Sequence, residues 1–123
     1  MNLVKFILVC IIFFIPAYAH SAHLHPEKYY QDIWCSQNNG VTEYRLADET
    51  RVDCLTDKYA IEFDFAQKWA ESIGQALYYS YKTGKVPGVV LILEKPSDYK
   101  YYERIKPLCD KYGIILFKME DCQ

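Results

Sequence analysis

A chain of 123 residues with 14 Lys and Arg against 16 Asp and Glu, 51% hydrophobic and 16% aromatic, has room for one globular domain and no more. Its formal charge of −2 excludes a partner held mainly by a basic surface field, because no surplus of cations exists to neutralise a run of phosphates. Any contact with nucleic acid must be local.

Residues 1–19 differ in kind from the rest. Lys5 precedes an unbroken apolar run from Phe6 to Ile15, and Ala17-Tyr18-Ala19 has the small-x-small pattern read by signal peptidase. The run is short of the roughly 20 residues that a spanning helix needs. We therefore expect a signal peptide over 1–19, a single domain over 20–123, and a periplasmic or secreted protein with no stable membrane anchor after cleavage. Cleavage removes Lys5 and no acid, so 13 basic and 16 acidic residues remain. Cys10 leaves as well, and Cys35, Cys54, Cys109 and Cys122 stay behind, an even number in an oxidising setting, which reads as two disulfides. Neither spacing contains a Cys-x-x-Cys knuckle, which argues against zinc. His20, His23 and His25 read as a frayed polar leader, although imidazoles at that spacing could bind Cu²⁺ or Ni²⁺.

The first helix is expected from Pro26, a first-turn proline, through Tyr30, Ile33, Trp34 and Gln37 to the stop at Asn38-Asn39-Gly40. Three strand-like runs follow, Val41 to Leu46, Arg51 to Leu55 and Tyr59 to Asp64, with turn-like residues between them, and read as an antiparallel meander. Phe65 to Thr83 reads as the longest helix, with Gly84 in the capping position. After the Pro87-Gly88 break, the apolar run Val89 to Leu93 reads as a central strand covered on both faces. Pro96 to Lys111 reads as a helix despite Pro107, and Gly113 releases a last strand from Ile114 to Phe117. The order helix, three strands, helix, strand, helix, strand implies a three-layer α/β/α sandwich.

On the long helix, Phe65, Trp69, Ile73, Ala76, Leu77 and Ser80 form the expected core face, and Lys68, Ser72, Gln75, Tyr79 and Lys82 a polar one. The strand that leads into it ends Glu62-Phe63-Asp64, and the period of two puts both carboxylates on one side. Asp53 lies beside Glu62 if the neighbouring strands pair through the turn at 56–58. Adjacent carboxylates repel unless a cation bridges them, and Mg²⁺ or Mn²⁺ suits Asp53 and Glu62, with Asp64 as a further ligand. Cys54 faces away from Asp53, toward the first helix, where it can meet Cys35, leaving Cys109 for Cys122.

Asp53, then Glu62 after a hairpin, then a helix bearing Gln75-Ala76-Leu77-Tyr78-Tyr79 resembles the PD-(D/E)xK, or restriction-endonuclease-like, nuclease superfamily. Gln75 and Tyr79 match the Gln-x-x-x-Tyr pattern of its RecB-type branch. The resemblance implies a metal-dependent nuclease acting on DNA or RNA. Asp53 and Glu62 would be the metal ligands, Gln75 and Tyr79 would position substrate, and Glu43 would be a further acid. The family's lysine, two positions after the acid, is replaced here by Asp64. Lys68 in the next helix corresponds to the migrated lysine of some members and would serve the metal-bound water. Many small nucleases of this kind act as homodimers, and the sequence leaves that open.

Two other readings stand beside this one. A nuclease-like domain without activity could serve as an exported binding module, and affinity for divalent metal at Asp53 and Glu62 separates the two. Tyr99, Tyr101 and Tyr102 interleave with Lys95, Lys100, Arg104 and Lys106 on the third helix, which suits base stacking or an amphipathic surface. Thr83-Gly84-Lys85 lacks the first glycine of a phosphate loop and follows a helix rather than preceding one.

Overall fold

The structure, a computed structural model, describes residues 23–121. The expected signal peptide, His20 and Cys122 lie outside the described residues. The chain forms a mixed α/β domain: α1 (Glu27–Gln37), β1 (Val41–Arg45), β2 (Arg51–Leu55), β3 (Tyr59–Phe65), α2 (Trp69–Thr83), β4 (Val86–Leu93), α3 (Tyr99–Tyr112) and β5 (Ile115–Glu120). Short 3-10 turns at Ala66–Lys68 and Pro96–Asp98 lead into α2 and α3. Among the described residues no helix is long and apolar enough to cross a membrane.

The five strands lie in the order β1-β2-β3-β4-β5, antiparallel from β1 to β3 and parallel from β3 to β5. The expected meander is present. Its second turn is tied by Thr56, whose N–H donates to the Tyr59 carbonyl at 2.9 Å and whose Oγ1 accepts from Tyr59 N–H at 2.8 Å.

Alternation along the central strands builds two cores. Ile61, Phe63, Phe65, Val90 and Ile92 pack with Tyr30 and Cys35 of α1. Val89, Leu91 and Leu93 pack with Ala76 of α2 and with Ile105 and Cys109 of α3. A strand buried on both faces needs apolar residues at every position, which is why β4 reads as a continuous run. α1 is fastened to β2 by the disulfide Cys35–Cys54.

Several boundaries differ from expectation for physical reasons. Phe65 does not open the helix; it ends β3, opposite Ile92. The following 3-10 turn advances about 120° per residue instead of 100°, which rotates α2 by roughly 60° over three residues. Ser72, Ala76 and Tyr79 therefore face the sheet, and Leu77, expected in the core, is exposed. β4 runs through Pro87-Gly88, since it pairs with β3 from Val86 but with β5 only from Gly88, leaving Pro87 unneighboured on one side. Pro107 is exposed within α3, so the Glu103 carbonyl that it cannot serve faces water. Cys109, expected to pair with Cys122, is a free thiol pointing into the core beneath α3, and burial pushes it up to about 11. His23 is not frayed: its ring stacks on Phe65 at 3.5 Å and its Nδ1 donates to Glu94 Oε2 at 2.7 Å.

Two glycines distinguish contact from propensity. A Cβ at Gly40 would lie 2.6 Å from Cys35 Sγ and closer still to Cys54 Sγ, whereas a Cβ at Gly74, inside α2, meets nothing within 4 Å. Gly40→Ala is expected to lower stability by about 1–3 kcal/mol through overpacking against the disulfide. Gly74→Ala is expected to raise it by about 0.5–1 kcal/mol. Urea denaturation of both variants checks the pair.

Candidate active site

β2 and β3 pair at Leu55↔Ala60 and Cys54↔Ile61, where the ladder ends. One residue beyond, the Asp53 carboxylate reaches between the strands and its Oδ2 accepts the Phe63 N–H at 2.8 Å. A side chain thus replaces a backbone acceptor, and the next β3 side chain on the α2 side, Glu62, comes into hydrogen-bond contact with Asp53. Asp64 follows on the same face of β3. Glu62 and Asp64 are each only 4% exposed, and Glu62 Oε2 and Asp64 Oδ2 are buried with no hydrogen-bond partner among the described residues.

Burial dominates the electrostatics. Glu62 is raised far above the carboxylate range, first by desolvation and then by the charges of Asp53 and Asp64, so in this arrangement it keeps its proton and donates to Asp53. Asp53 is raised less, because burial is partly offset by the Phe63 N–H. Asp64 rises to about 7 through burial and Glu27, with Lys68 pulling it back. Glu27, on the first turn of α1, also rises to about 7, through burial and then Asp53, again opposed by Lys68.

The structure brings together most of the residues singled out in the sequence. Asp53, Glu62 and Asp64 lie near enough for their charges to raise one another's proton affinity. Tyr79 of α2 packs on Val52 and Ala60, and its hydroxyl is pushed up to about 12 by burial and by Glu62 and Asp53. Lys68 ends the 3-10 turn before α2, exposed, and stabilises the charged forms of Asp64 and Glu27. Gln75, one turn before Tyr79, lies on the solvent side of α2. Glu43 sits on β1 with φ +53°, its Oε1 accepting from Gln31 Nε2 at 3.1 Å and its Oε2 3.7 Å from Arg51 Nε.

Two residues escaped the sequence reading. Glu27 and Gln31 stand one helical turn apart on α1 and face the acids, while Tyr30 and Trp34 face the apolar core. The signal was an i, i+4 polar pair beside an apolar stripe, which is also what a solvated helix face looks like.

The residues that could hold a divalent cation are Asp53 and Glu62. Mg²⁺ keeps several waters and commonly takes one or two carboxylates, which the Asp53–Glu62 pair supplies. Among the described residues no group of three His, Cys, Asp or Glu side chains is gathered to enclose a metal ion, so Asp64 and Glu27 flank the pair instead of completing a cage.

Comparison with known proteins adds one relative. Over 91 residues, 73% of its length, the chain is 34% identical to a protein of Acanthamoeba polyphaga mimivirus named as containing a KilA-N domain, and it spans about a quarter of that protein, 24%. No family model matches the chain. No solved structure matches it either.

Stability should carry the imprint of these acids. Unfolded, Asp64 and Glu27 release their protons near pH 4; folded, they hold them to about pH 7, so the folded state binds more protons between those limits. Stability is therefore lost as pH rises from about 4 to 7. In EDTA, the urea midpoint is expected to fall between pH 5 and pH 8. Glu62→Gln, which removes the most strongly raised acid, should recover about 1 kcal/mol or more at pH 8.

Proposed function

We propose that the protein is a divalent-metal-dependent nuclease of the PD-(D/E)xK type, built as a restriction-endonuclease-like three-layer α/β/α sandwich and hydrolysing phosphodiester bonds of DNA or RNA. The observation that carries this reading is the buried pair of carboxylate oxygens, Glu62 Oε2 and Asp64 Oδ2, that have no hydrogen-bond partner among the described residues, beside Asp53. Buried charge of one sign is expensive, and a cation offsets it. The element order supports the reading independently, because the motif positions fall on the strands and helix that the resemblance requires.

Asp53 and Glu62 would hold the metal, with Asp64 and Glu27 alongside. When bound, Mg²⁺ or Mn²⁺ lowers the pKa of a coordinated water and stabilises negative charge on the phosphate. The chain's own residues do the rest. The Phe63 N–H fixes the Asp53 carboxylate, Tyr79 walls the site against water, and Gln75 projects toward the solvent where a nucleic-acid backbone would run. Lys68, drawn toward Asp64 and Glu27, places a positive charge at the mouth, where it orients the attacking water or offsets charge developing on phosphate. The viral relative supports treating this segment as a unit that also occurs within a longer chain.

Labelled single- and double-stranded DNA and RNA, incubated with the oxidised protein and Mg²⁺ or Mn²⁺, are expected to be cleaved, and EDTA should stop the reaction. Asp53→Ala and Glu62→Gln should reduce cleavage to background, and Lys68→Ala should reduce it by about 100-fold. A folded wild type that cuts none of these substrates would leave the exported binding module as the surviving reading.

A further inference from the structure

Asp53 is the gap in β2: the strand pairs with β1 on either side of it, at Thr42↔Cys54 and Tyr44↔Val52, but not at Glu43 and Asp53, and its pairing with β3 stops at Cys54↔Ile61. A side chain of α1 fills that gap. The Gln31 side chain is 2% exposed, and its Nε2 donates both to the Asp53 carbonyl and to Glu43 Oε1, the latter at 3.1 Å. Glu43 is the only non-glycine residue with positive φ inside a strand among the described residues, Asn39 and Glu49 lying in turns. A left-handed residue in a strand is strained and persists only where the surroundings over-determine it. One amide group thus braces both the displaced Asp53 and the strained residue on the adjacent strand.

We propose that Gln31 is a positioning residue of the carboxylate site, an amide clamp that sets the backbone of Asp53 and so directs its carboxylate at Glu62; this rests on the function proposed above. The chemistry requires a donor. Both partners are acceptors, and the two hydrogens of one amide nitrogen serve one each without adding charge. A carboxylate at this position would present acceptor to acceptor and add one more buried negative charge, and an aliphatic side chain would leave the Asp53 carbonyl without its donor.

The test uses Gln31→Leu and the near-isosteric Gln31→Glu, the second serving if the first does not fold. Tyr30→Phe is the control: it removes a buried hydroxyl from the same helix whose partners are Glu94 and Asp121, away from Asp53. Two readouts are taken on folded, disulfide-intact protein, Mn²⁺ affinity by calorimetry and hydrogen exchange of the Phe63 amide. Loss of an outer-shell partner typically costs 10–100-fold in metal affinity. Mn²⁺ affinity is expected to fall at least 10-fold in the Gln31 variants and to hold in Tyr30→Phe, with Phe63 exchange accelerated about 10-fold or more and that of Leu91 unchanged. Wild-type affinity and protection in both Gln31 variants would overturn the clamp. A wild type that binds no Mn²⁺ would overturn the function proposed above, and the clamp would then be decided by the Phe63 amide alone: faster exchange upholds it, unchanged exchange removes it.

Discussion

The constraint on which the structure depends is the double duty of β3. One face of the strand presents Ile61, Phe63 and Phe65 to the core under α1, and the other presents Glu62 and Asp64 to the space beneath α2. The strand cannot be moved by one residue without exchanging the two sets, so the apolar face fixes the acidic face. Desolvation follows from the same packing, because the helix that closes over β3 and β4 also excludes water from the carboxylates. The raised proton affinities at the site are thus a consequence of core formation.

The N-terminal helix balances this arrangement. α1 contributes Tyr30 and Cys35 to the core and Glu27 and Gln31 to the acids, and it is tied at both ends. Cys35–Cys54 fastens its C-terminal half to β2, one residue from Asp53. At the other end, Tyr30 donates to Glu94 Oε1 at 2.8 Å, and the same carboxylate takes Leu24 N–H and His23. Glu94 follows β4 directly, so the helix that flanks the acids is anchored to the most deeply buried strand. The Asp98 carboxylate steadies that corner, accepting from Glu94 N–H at 3.0 Å and from Gln67 Nε2 at 3.0 Å.

The order of elements and the nearness of Asp53, Glu62 and Asp64 were legible because each rests on a local pattern. Alternation named the faces of β3, the apolar run named β4, and the turn at 56–58 brought Asp53 beside Glu62. The helix phase was not legible, since it depends on a 3-10 turn whose three residues carry no distinctive sequence, and the error exchanged Leu77 for Tyr79. Glu27 and Gln31 were missed for a different reason: their role comes from where α1 crosses the sheet, a tertiary fact invisible to periodicity. The pairing of Cys109 with Cys122 rested on counting, and counting does not record that Cys109 points into the core.

The distribution of the acids along the chain has a consequence for how the domain assembles. Glu27, Glu43, Asp53, Glu62 and Asp64 all precede α2, within the first helix and the meander. The disulfide closes a loop of only 19 residues in that same segment. The parallel pairings of β3 with β4 and of β4 with β5 each need a whole helix to cross over, so they close longer loops than the meander does. The carboxylates thus all lie in the first half of the described fold, and the second half supplies the α2 and β4 that cover them.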